Sequence, residues 1–120
     1  MRNPTKLEVI PESEELALLV YRITRGFPRD ERFGLTAQIR RSAVSVGSNI
    51  VEGCHRQGNR ALLAFLHQAI GSAAELEFQL RLASKLDFGE TDAVAATLDQ
   101  ANKVKRMLAK LIAALRTRGD

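Results

Sequence analysis

The chain has 120 residues, 18 Lys plus Arg against 14 Asp plus Glu, a formal net charge of +4 and an isoelectric point near 9.7. That length makes one domain able to bury its own core, and 45% hydrophobic with 27% charged residues is an ordinary globular composition. No apolar run reaches the roughly 20 residues that span a bilayer, residues 1–15 hold no apolar stretch of signal-peptide length, and the lone cysteine, Cys54, excludes an internal disulfide. The expectation is therefore a cytoplasmic protein with no membrane attachment.

Residues 1–12, with Pro4 and Pro11, read as irregular, and the folded bundle is expected over residues 13–118. Ser13 is placed to cap a first helix that runs to about Arg25, with Leu16, Leu19, Val20 and Ile23 on one face. Gly26-Phe27-Pro28 stops it, since Pro cannot continue a helix. A second helix starts at Asp30 or Leu35 and reaches Gln57. Its apolar residues Leu35, Ile39, Ala43, Val46 and Ile50 recur at steps of three and four, the signature of a buried stripe.

Gly58 ends that helix and Asn59 can cap the third, about Arg60 to Leu86. Leu62, Leu66, Ala69, Ala73, Leu76, Leu80 and Ala83 alternate steps of four and three, a heptad seam. After a break at Gly89 and Thr91, the fourth helix, about Asp92 to Arg116, carries Val94, Leu98, Ala101, Val104, Leu108, Leu111 and Leu115. Four amphipathic helices on short turns predict an all-α, antiparallel up-down-up-down four-helix bundle.

Further apolar residues lie to one side of two seams: Leu63, Ile70 and Ala74 on the third helix, and Val44, Val51 and Cys54 on the second. They fit either self-association or a broad core inside one subunit. Two polar stripes pose a similar choice. Arg41, Ser45, Asn49, Glu52 and Arg56 share one face of the second helix; Gln68, Ser72, Glu75 and Gln79 share one of the third. Charged members suit a solvated surface. The short Ser and Asn residues are poor helix formers and suggest contact between helices or subunits. If the stripes meet, Arg41 or Arg56 can pair with Glu75, and Asn49 can exchange hydrogen bonds with Gln79. Gly71, in a run of small residues, and Gly47 are expected where another helix comes close, because a mid-helix Gly costs about 1 kcal/mol relative to Ala.

The positive charge is clustered. Arg22, Arg25, Arg29, Arg32, Arg40 and Arg41 fall in a span whose only acids are Asp30 and Glu31, and a second group closes the chain. The first candidates for nucleic-acid contact are Arg29, Arg32, Arg40 and Arg41; the second are Lys103, Lys105, Arg106 and Lys110. A surplus of four charges is equally compatible with no nucleic-acid binding. The aromatics fall mostly on apolar faces or at turns, which argues against reading single strands by stacking.

No catalytic constellation is present. His55 and His67 have no metal-ligand spacing, no Glu-x-x-His pair occurs, and no Lys-Ser/Thr pair follows Gly53–Gly58. The expectation is a protein that is not an enzyme and uses neither metal nor cofactor.

Phe27-Pro28, Gly34-Leu35, Gln38-Ile39-Arg40-Arg41, Ser45, Asn49-Ile50, Glu52-Gly53 and Arg56, followed by Phe65-Leu66, Gly71-Ser72, Glu75-Leu76 and Gln79-Leu80, come in a characteristic order. Over about residues 16–115 the chain resembles the four-helix-bundle proteins encoded by intervening sequences of bacterial 23S rRNA genes. It is similar, too, to the accessory proteins of diversity-generating retroelements. The resemblance implies a ring-forming bundle, a homopentamer in known relatives, with no enzymatic activity, RNA as a partner and, by the second likeness, a reverse transcriptase as a protein partner. The alternative is a protein-interaction scaffold whose positive charge is incidental.

Overall fold

A computed structural model describes residues 7–118. It contains four α-helices, α1 (Val9–Thr24), α2 (Leu35–Cys54), α3 (Asn59–Lys85) and α4 (Thr91–Arg118), with a 3-10 turn at Arg29–Glu31 between the first two. Each helix packs on the next and α4 returns to α1. Contacts fix the directions. Ser13 lies by Gly47 and Thr24 bonds Arg40; Ser45 meets Ser72 while Gly53 meets Leu62; Glu77 pairs with Lys105 while His67 meets Arg116. In each pair one number rises as the other falls, so neighbours are antiparallel and the bundle runs up-down-up-down.

The seams form the core. All seven α3 seam residues, from Leu62 to Ala83, are buried, as are Leu35, Ile39, Ala43, Val46 and Ile50 of α2. In α4 Val94, Ala101, Val104, Leu108 and Leu115 are buried as expected and Ile112 is buried too, while Leu111 and Leu98 are only partly covered. The extra apolar residues divide. Cys54 is buried and Leu63 and Ile70 pack on the core, but Val44 and Val51 remain exposed.

Several boundaries move. α1 begins at Val9, not Ser13, so residues 9–12 are helical rather than irregular; residues 1–6 lie outside the described residues. Pro11 sits in the first turn, where a missing N–H removes no intrahelical bond. Ser13 is buried one turn in and donates to the Val9 carbonyl over 2.7 Å instead of capping. α2 ends at Cys54, before Gln57. Gly58, with φ of 83°, takes the cap position of α3, and Asn59 is already helical.

The tight glycine is also not the expected one. A Cβ on Gly71 would meet nothing within 4 Å in the chain, and on Gly47 it would touch only Ser13 Cβ, at 3.6 Å. On Gly53 it would lie 2.9 Å from Phe65 Cβ and 3.0 Å from Leu62 Cδ1. Gly53 is thus where α2 and α3 approach closely.

Candidate nucleic-acid interface

The segment joining α1 to α2 is anchored by Phe27. Its buried ring packs on Phe88 of the α3–α4 connection, with centroids 5.7 Å apart, and closes this end of the core. The chain then makes the 3-10 turn and enters α2 at Leu35, whose N–H is accepted by Glu31 Oε1 at 3.0 Å. Around this corner Arg25, Arg29, Arg32 and Arg40, with Thr24 and Thr36, line a recess of about 200 Å³ that no acidic residue lines. None of the four arginines forms an ion pair among the described residues. Arg40 Nε donates to Thr24 Oγ1 over 2.8 Å, and its guanidinium lies 4.5 Å from the Tyr21 ring centroid, so that cation is held in place by α1.

Two further features of this corner are left incompletely partnered among the described residues. Thr36 is only 6% exposed, yet its hydroxyl makes no hydrogen bond with a described residue. Phe33 is 85% exposed, and one face of its ring meets the Arg32 guanidinium at 4.7 Å.

Of the first candidate cations, Arg29, Arg32 and Arg40 converge here and Arg41 does not. Successive residues on a helix point about 100° apart. Arg41 therefore turns to a second cleft, of about 290 Å³ between α2 and α3, with Ser45, Ser72, Glu75 and Gln79. The second candidates are largely engaged. Lys103 pairs with Glu12 at 3.2 Å and Lys105 with Glu77 at 2.7 Å, while Arg106 Nε donates to Asn102 Oδ1; Lys110 is exposed. Gln100 and Lys103 beside the Glu12 carboxylate hold its pKa below the usual range.

The polar stripes of α2 and α3 do meet within one subunit, with different partners from those expected. Ser45 and Ser72 hydroxyls are 2.8 Å apart, and Asn49 Nδ2 donates to Ser45 Oγ and O rather than to Gln79. Arg56 pairs with Glu52, one turn away on its own helix, at 2.7 Å, and lies over Phe65, so it is not Glu75 that it binds. Gln79 is buried, and its amide oxygen has no hydrogen-bond partner among the described residues. Gly71 is exposed and takes no part in a contact between helices of the chain.

Thr36 and Phe33 were not singled out as site residues from the sequence, and Arg25 was counted in the arginine cluster but not among the contact candidates. For Thr36 a signal was present: it precedes Arg40 by four, which sets the two on one side of α2.

Comparison with known proteins adds the following. The family model described as 23S rRNA-intervening sequence protein matches residues 5–110. None of the curated proteins matches. Among solved structures, the crystal structure of a protein of unknown function from the S23 ribosomal protein family of Bacteroides thetaiotaomicron VPI-5482 is similar, with a TM-score of 0.78 at 23% identity over 87% of this chain and 97% of that one. At that identity the likeness concerns the fold.

Proposed function

The chain belongs to the 23S rRNA-intervening sequence protein family, and from that premise we propose that it is a non-enzymatic bundle that binds RNA through the arginine corner and acts as an assembly of copies in the cytoplasm. The observation that carries the RNA reading is the recess itself: four arginines line it, with no acidic residue in the lining and no ion pair to any of them among the described residues. Like charges brought together without neutralisation repel, and an anion relieves the repulsion. Arginine is also suited to phosphate, because its planar fork donates two parallel hydrogen bonds.

Assembly is supported by two apolar patches on opposite sides of the bundle. One flanks the α1–α2 seam, where Ala17, Val44, Gly47 and Val51 line a groove of about 450 Å³ beside Glu14. The other is the outer face of α3, where exposed Gly71 and Ala74 precede Phe78, itself 62% exposed, next to Arg106 of α4. The patches differ in shape and in the sign of the charge beside them. Contact between unlike patches is head-to-tail, and repetition closes a ring if the rotation permits. A count of five subunits rests on the family resemblance.

Filter binding of 23S rRNA fragments at about 50 and 200 mM salt tests the RNA reading. Neutralising two or more phosphates should weaken binding about tenfold over that range. Absence of binding at the lower salt, or binding indifferent to salt, overturns it. The apolar α1–α2 groove favours a second reading, a scaffold for a protein partner such as a reverse transcriptase. Recovery of a stoichiometric protein partner after nuclease treatment would select that one.

A further inference from the structure

We propose that the corner between α1 and α2 takes one unpaired nucleotide of an RNA strand, its phosphate in the arginine recess and its base stacked on Phe33. This rests on the RNA reading above and sharpens it, since a surface that meets phosphates alone has no use for the exposed aromatic ring.

The recess, at about 200 Å³, lies below the usual size of a small-molecule site and has room for a phosphate group but not for sugar and base as well. It is built for an anion. Arg40 is pre-oriented by Thr24 and Tyr21, with only its Nε committed, so its terminal amino groups are free to donate. Thr36 lines the same space, and its hydroxyl, buried just beneath, has no partner among the described residues. A buried hydroxyl left unpaired costs roughly 1–3 kcal/mol. An oxygen of the phosphate, or a water it carries, is the partner that removes the cost.

The base belongs outside, and Phe33 stands there. It follows directly on Arg32, a residue of the recess lining whose guanidinium covers one face of the ring. With 85% of the residue exposed, the other face is open. An aromatic ring beside a phosphate pocket is the arrangement that holds an unstacked base, and a paired base inside a duplex cannot reach it. Loops, bulges and strand ends of a folded RNA are accordingly the sites it fits.

The test uses the full chain and fluorescence anisotropy with two probes, a single-stranded 12-nucleotide RNA and a blunt duplex of the same length, at about 50 mM salt. Phe33→Ala is expected to weaken single-strand binding roughly tenfold or more, to leave the duplex unaffected, and to keep the salt dependence, because no cation is removed. Phe33→Trp should restore wild-type affinity. Equal single-strand affinity for wild type and Phe33→Ala overturns the stacking role while the RNA reading survives through the duplex. The same equality with loss of assembly in sedimentation would make Phe33 a subunit contact, which also overturns it. If neither probe binds wild type while the 23S rRNA fragments do, the nucleotide site falls and the RNA reading stands; if the fragments fail as well, both fall.

Discussion

Substituting Gly53 by Ala adds one methyl group where α2 and α3 approach closely. The new carbon would lie 2.9 Å from Phe65 Cβ and 3.0 Å from Leu62 Cδ1, whereas non-bonded carbons rest at about 3.5–4.0 Å. Leu62 can rotate its methyl away. Phe65 Cβ is fixed to the α3 backbone, so relief requires the two helices to part by several tenths of an ångström. Overpacking of this kind costs about 1–3 kcal/mol. Against it stands the helix propensity gained by replacing Gly, at most about 1 kcal/mol, and less here because Gly53 is the penultimate residue of α2. The net expectation is a loss of about 1–2 kcal/mol, which lowers Tm by roughly 4–10 °C in a domain of this size. Gly47→Ala in the same helix is the control. Its methyl meets only Ser13 Cβ, at an ordinary 3.6 Å, so the propensity term prevails and Tm should rise by a few degrees. Thermal melts followed by circular dichroism at one protein concentration decide the matter. If Gly53→Ala melts at or above Gly47→Ala, the close approach is not what keeps glycine at that position.

Thr36→Val removes the unpaired buried hydroxyl at nearly constant volume, so it should raise Tm by roughly 3–6 °C for about 1 kcal/mol while weakening single-stranded RNA binding; a lower Tm in the RNA-free protein would show that the hydroxyl has a partner. Gly71→Leu points into empty space in the subunit and should leave helicity intact while reducing the assembled mass in sedimentation velocity; unchanged mass would remove α3 from the subunit contact. Glu12 has its pKa lowered by its hydrogen bonds to Gln100 and Lys103, so its contribution is present at neutral pH and is lost as acid protonates it. Glu12→Gln should therefore flatten the acid side of the stability–pH profile without shifting the alkaline side, and an unaltered acid limb in urea melts would contradict the pairing.

Much of the architecture was legible in the residue pattern. The α3 seam and the α2 stripe name their buried residues one by one, because helical spacing and apolarity together decide which face leaves water. The connections that contain Gly58 and Gly89 follow from local backbone chemistry, both having positive φ, although α2 already ends at Cys54 and Gly58 caps the start of α3. The exception at the start of α1 has a local reason as well: Pro11 reads as a breaker unless it is known to occupy a first turn.

Periodicity gives an angle about a helix's own axis, and it is silent on what lies in that direction. Arg40 and Arg41 are adjacent and chemically identical, yet α1 receives one and the α2–α3 cleft the other. Lys103 and Lys105 looked as free as Arg29 and Arg32 until Glu12 and Glu77 turned out to face them. Gly53 and Gly71 are the same residue in two helices, and only the neighbour's position makes one indispensable to packing and the other open on the surface. The sequence by itself determined four helices, their inward faces and the total charge. Tertiary structure alone decided which cations stay unpaired and which end of the bundle gathers them, because those depend on contacts between residues far apart along the chain.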